Sequence, residues 1–138
     1  MITNQRQYVN TRAQAERFRQ SLSTSDSEGL HPKAAKAMRD GLRSQLEDLD
    51  AELAEYEALR RGEVVTIEAQ SIVAIGGALI KARIMRHLTQ RELAERLSLA
   101  EQQIQRYEAT EYAGVATERL QQVADALKLR VREVFTLE

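Results

Sequence analysis

Between Leu42 and Tyr56 the apolar positions keep a regular step. Leu42, Leu46, Leu49, Leu53 and Tyr56 recur in alternating intervals of four and three, the spacing of a heptad seam along a helix. Arg39 and Arg60 hold the flanking seam positions, so the repeat lasts only about two and a half heptads. Pro32 suits the first turn of this helix and Gly62 suits its end, which predicts a helix over 32–61. Between the seam positions lie Glu47, Asp48, Asp50, Glu52, Glu55 and Glu57, an acidic face turned to water rather than a catalytic pair. Upstream, Thr11 and Gln14 have capping-box spacing, and Ala15, Phe18 and Leu22 share one helical face, which predicts a helix over 11–22. The Ser-rich stretch from Ser21 to Gly29 reads as a loop. Two arrangements satisfy the seam: a hairpin in which Phe18 and Leu22 cover it, or a coiled coil shared by two subunits.

After Gly62 the rhythm breaks. Val64, Val65 and Ile67 are β-branched and fit a short strand or an extended linker over 63–70. Helical periodicity returns at Ser71 and predicts helices near 71–86, 90–97, 101–108, 117–128 and 131–136. Thr89 and Glu92 form a second capping box, so a helix starts at Gln90. Leu93 and Leu97 face inward, and Ala94 is small where another helix must cross. Ser98, Leu99 and Ala100 make a short turn; Glu101 opens the next helix and Ile104 anchors it. Two short helices joined by such a turn form a helix-turn-helix. The expected fold is all-α: a hairpin or coiled-coil arm over 1–62, then a five-helix domain over 71–138.

The run Leu88-Thr89-Gln90, Leu93-Ala94, Ile104 and Tyr107-Glu108 resembles the Cro/phage-repressor (Xre-type) helix-turn-helix family. The likeness continues through Thr117, Leu120, Val123, Ala124, Ala126 and Leu127, and covers roughly 71–138. One departure is Ser98, where that family usually has glycine at the turn. The resemblance implies binding of double-stranded DNA, with the second helix of the motif in the major groove. It directs Glu101, Gln102, Gln105 and Arg106 at base edges. Their chemistry suits the task, since Arg grips guanine, Gln grips adenine and Glu accepts from cytosine N4. It places Gln90 on phosphate, with Arg91, Gln103, Thr110 and Tyr112 as further backbone contacts. It also implies a structural pair, Arg83 with Glu108. The added N-terminal helices are similar, less specifically, to those of HigA-type antitoxins, which implies a toxin protein as an alternative partner.

Composition narrows the field further. The 138 residues are 43 % apolar but only 4 % aromatic, which favours helix over sheet. There is no Cys, so disulfides and thiolate metal sites are excluded. His31 and His87 lie far apart without clustered carboxylates, and Gly76-Gly77 lacks the surroundings of a phosphate loop. No catalytic residue, metal or cofactor is expected. No apolar run is long enough for a membrane span and the first residues lack an apolar signal core, so a cytoplasmic protein is expected. Net charge is −1; residues 1–70 carry −2 and residues 71–138 carry +1. The expectation is a sequence-specific transcriptional regulator, a dimeric repressor on a palindromic operator. An antitoxin that neutralises a toxin and represses its own operon is the alternative, and an adaptor that has lost DNA binding is a third. The dimer or partner surface would be the seam Leu42, Leu46, Leu49, Leu53 and Tyr56, or the C-terminal Val131, Val134, Phe135 and Leu137.

Overall fold

A computed structural model describes residues 1–24, 29 and 31–138. Among these residues the chain forms α1 (Gln5–Ser23), α2 (Pro32–Arg60), a 3-10 turn (Ile72–Ala74), α3 (Ile75–Met85), α4 (Gln90–Leu97), α5 (Glu101–Ala109) and α6 (Thr117–Ala126), with no strand. Met1–Ala58 and Leu59–Glu138 are separate compact units. No helix among the described residues is long and apolar enough to cross a membrane.

In the first unit, α1 starts six residues earlier than the Thr11–Gln14 capping box suggests. Asn4 caps it, its Oδ1 accepting from the Gln7 N–H at 2.9 Å, and the Gln7 side chain accepts from the Thr3 N–H at 2.8 Å. The first turn is polar throughout, so no apolar period announces it. Ser21–Ser23, read as the start of a loop, are the last turn of α1. The remainder of that expected loop lies almost wholly outside the described residues. α2 has the expected span to within one residue, and Gly62 follows it in the left-handed region at φ +71°.

α1 and α2 are joined by polar side chains. The Tyr8 hydroxyl donates to Glu57 Oε1 at 2.7 Å, and its ring stacks on Tyr56 at 5.1 Å between centroids. Holding its proton against Glu57 pushes the Tyr8 phenol above its ordinary value. Arg19 pairs with Asp50 towards the other end of α1. Ala15, Leu53 and Tyr56 are buried, while Phe18, Leu22, Leu42, Leu46 and Leu49 are half-buried.

The second unit is built around Leu79, Ile80, Ile84, Leu93, Ile104, Val123 and Leu127, each no more than 4 % exposed. α4 packs against both α5 and α6, and α3 closes the other side. The approach of α3 to the loop after α5 requires glycine: a Cβ on Gly76 would sit 1.7 Å from the Glu111 carbonyl oxygen. Two arginines fasten the end of α6. Arg96 donates to the Ala126 carbonyl at 2.9 Å. Arg86 donates to the carbonyls of Leu127 and Lys128 at 2.9 and 3.0 Å. Such contacts satisfy carbonyls that the helix itself leaves free.

The four α-helices of this unit end alike. A left-handed, non-glycine residue stands at His87, Ser98, Glu111 and Lys128. An N–H then reaches back five residues, from Leu88 to Arg83, Leu99 to Ala94, Tyr112 to Tyr107 and Leu129 to Ala124. This bond pattern belongs to Schellman-type ends, where glycine is the usual left-handed residue. The fifth helix expected near 131–136 does not form; from Leu129 onward the chain has no helix, turn or bend. Val131, Val134 and Thr136 lose rotamer freedom in a helix, no Ser, Thr, Asp or Asn stands ahead of Val131 as a cap, and a helix so short nucleates poorly.

Candidate nucleic-acid interface

α4 begins where Thr89 Oγ1 accepts from the Glu92 N–H at 3.1 Å, as the capping-box spacing predicts. It ends at Ser98, whose φ of 55° and ψ of 39° are left-handed. Ser98, Leu99 and Ala100 then redirect the chain into α5. On α5 the inward residues are Ile104 and Glu108. Glu101, Gln102, Gln105 and Arg106 are all exposed and fall on adjoining positions of one helical face. Gln105 Nε2 lies 3.5 Å from Glu101 Oε1, a contact at the outer limit of hydrogen bonding. The sequence therefore sets four polar side chains outward from a helix whose other face is fixed.

That fixing comes largely from charge. Arg83 of α3 meets Glu108 of α5 in a two-pronged pair, Nε to Oε2 at 2.6 Å and Nη2 to Oε1 at 2.7 Å. Both side chains are almost wholly buried, at 3 % and 1 % exposed. Arg83 Nη1 also donates to the Leu88 carbonyl at 2.8 Å, and Gln90 Nε2 donates to Glu108 Oε1 at 3.1 Å. Three elements, α3, the start of α4 and the end of α5, thus converge on one carboxylate. Bidentate geometry of this kind fixes angle as well as distance.

The residues expected on the DNA backbone divide. Arg91 and Thr110 are exposed and Gln103 is half-buried. Arg91 reaches Glu95 one turn on, at 3.4 Å; Gln103 Nε2 donates to the Tyr107 hydroxyl at 3.0 Å; and the Thr110 hydroxyl turns back to carbonyls of its own helix. Gln90 and Tyr112 lie inside the domain, at 8 % and 4 % exposed. Gln90 is drawn in by Glu108. Tyr112 is drawn in by its left-handed backbone, φ 59°, and packs 5.5 Å from the Tyr107 ring. Its hydroxyl is buried with no hydrogen-bond partner, and burial, with the Glu108 carboxylate nearby, pushes the phenol well above its ordinary value. Sequence reasoning gave no role to Arg86 and Arg96. The one available signal was a basic residue in or just after the last turn of a helix.

The family model described as Helix-turn-helix matches residues 79–134. This is a helix-turn-helix domain of the Xre type. The matched span contains Arg83, the capping box, the Ser98 turn, all of α5 and all of α6. No curated protein and no solved structure matches the chain. The match supports a DNA-binding transcriptional regulator of the Xre type. Among the described residues no group of three or more His, Cys, Asp or Glu is placed to hold a metal ion.

Proposed function

We propose that this chain is a dimeric repressor that reads a palindromic operator through the exposed face of α5. The observation that carries this reading is the outward set Glu101, Gln102, Gln105 and Arg106 on a helix locked from behind by Arg83, Gln90 and Glu108. A pre-set face loses little side-chain and backbone freedom on docking. Arg106 grips guanine O6 and N7, Gln102 and Gln105 grip adenine, and Glu101 accepts from cytosine N4. Arg91 supplies the charged phosphate contact beside them, with Gln103 and Thr110 as neutral ones. A single motif reads few base pairs, and residues 71–138 carry only +1. Two copies on half-sites one DNA turn apart, about 34–36 Å, supply the remaining affinity.

The test is selection of binding sites from a random duplex pool with the full chain, followed by gel shifts with the selected site. An inverted repeat is expected. Arg106→Ala should weaken binding to that site by about 1–3 kcal/mol while leaving nonspecific binding almost unchanged. An equal loss on both DNAs would remove Arg106 from the reading set. Failure to enrich any sequence, with a small basic protein retained from the host extract, would replace the repressor reading with the antitoxin one.

A further inference from the structure

α2 is divided by charge. Residues 32–45 carry Lys33, Lys36, Arg39 and Arg43 against the single carboxylate of Asp40, whereas residues 46–57 carry six carboxylates and no cation. Lys33 in the first turn and Glu57 in the last both run against the helix dipole, so helix stability does not explain this order. α1, with four arginines and one glutamate, lies against the acidic half: Tyr8 meets Tyr56 and Glu57, and Arg19 meets Asp50. The basic half lies open. From Pro32 to Gly41 every residue but Ala35 is exposed. Met38, 41 % exposed, shares a helical face with Leu42, Leu46 and Leu49, and those three leucines stay half-buried within the hairpin.

We propose that α2 packs antiparallel against α2 of a second copy of this chain, about a two-fold axis between Gln45 and Leu46. This deepens the dimeric reading given above and rests on it. Charge selects both the occupant and its direction. A wholly acidic partner is repelled by residues 46–57, and a wholly basic one by the first half of the helix. A partner must carry both signs in the reverse order, which is what a second α2 turned end for end presents. A parallel pair would set cations on cations and carboxylates on carboxylates, and like charges across an interface are costly. In the antiparallel register Leu42 stands level with Leu49 of the other copy, and Met38 with Leu53. The half-buried leucines of both copies thus meet around the axis, while Arg39 and Arg43 stand level with Glu52 and Asp48 of the other copy. α1 keeps its place on the acidic half, so the assembly is a bundle of two hairpins rather than an isolated coiled coil. Such an interface is isologous, the symmetry a palindromic operator demands.

The chain has no cysteine, so introduced ones report alone. The experiment oxidises full-length Gln45→Cys, Met38→Cys and Glu52→Cys chains in the absence of DNA and follows covalent dimers. Gln45→Cys should cross-link rapidly, because the axis sets the two copies of this position about 1.5 Å apart along the helix. Met38→Cys alone and Glu52→Cys alone place their cysteines about 20 Å apart along the helix and should react at least about tenfold more slowly. An equal mixture of the two should form the mixed dimer rapidly, since Met38 of one copy lies one residue's rise from Glu52 of the other. Adding Lys36→Glu, Arg39→Glu and Arg43→Glu to Gln45→Cys should slow its cross-linking about tenfold or more, with helical content kept because glutamate suits the start of a helix. Met38→Cys reacting alone as fast as Gln45→Cys, or a charge-reversed chain reacting as fast as its parent, would overturn the antiparallel pairing while leaving the DNA reading intact. Absence of any selected operator, with the cross-linking pattern preserved, would overturn the repressor and leave the pairing in place.

Discussion

Arg83 and Glu108 lie 25 positions apart in the chain and are almost wholly buried. Desolvating two such charges is expensive, and only close, multiple hydrogen bonds offset it. Removing one partner leaves the other stranded. Arg83→Met should therefore destabilise the helix-turn-helix domain by about 3–5 kcal/mol, read from urea unfolding; a loss below about 1 kcal/mol would mean that water reaches the pair. Tyr112 poses the opposite case. Its buried hydroxyl has no partner, so Tyr112→Phe should leave stability at neutral pH unchanged or raise it by about 1 kcal/mol. The phenol is raised chiefly by burial, so the folded state holds this proton more tightly than the unfolded chain. Its stabilising contribution is complete below the ordinary phenol value of about 10 and is lost as pH rises beyond it. Wild type should lose more stability than Tyr112→Phe between neutral pH and about pH 11; equal losses would show that the phenol is not desolvated.

At the scale of elements, the turn between α4 and α5 sets the angle at which α5 is presented. Ser98 occupies it in the left-handed region, where a Cβ costs about 1–2 kcal/mol. Glycine avoids that cost, less the extra freedom it carries in the unfolded chain. Ser98→Gly should therefore stabilise the domain by about 0.5–1 kcal/mol without changing which operator is selected. A destabilised variant would show that the serine side chain contributes more than its backbone strain costs. The same strain recurs at His87, Glu111 and Lys128. The domain tolerates it because the bonds reaching back from Leu88, Leu99, Tyr112 and Leu129 close each helix end.

For the whole molecule, weak charge is the governing quantity. A net +1 over residues 71–138 leaves little general attraction for DNA, so in the proposed reading affinity comes from base contacts and from having two copies. Operator binding should then fall only gently with salt, since each phosphate neutralised contributes about 0.9 to the logarithmic slope. Arg91→Ala should lower that slope by about one for each copy bound while preserving sequence preference. A slope unchanged by the substitution would take Arg91 off the phosphate backbone.

The sequence by itself determined the parts governed by near neighbours. Thr89 and Glu92 placed the start of α4 because a capping box is a contact across three residues. The leucine steps placed α2, since helical period is local. Arg83 and Glu108 were legible as a pair only through the family resemblance, and their two-pronged geometry came from the fold. Tertiary structure decided what depends on distant partners. Gln90 and Tyr112 are polar residues at plausible surface positions, yet the Glu108 carboxylate and the packing against Tyr107 hold them inside. α1 begins at Gln5 because Asn4 and Gln7 satisfy its first turn without any apolar signal. The segment after α6 carried a helix-like spacing of Val131, Val134 and Phe135, but without a cap or a face to bury, no helix forms there. Periodicity states which side chains could share a face; only the surrounding fold supplies the surface against which that face is worth forming.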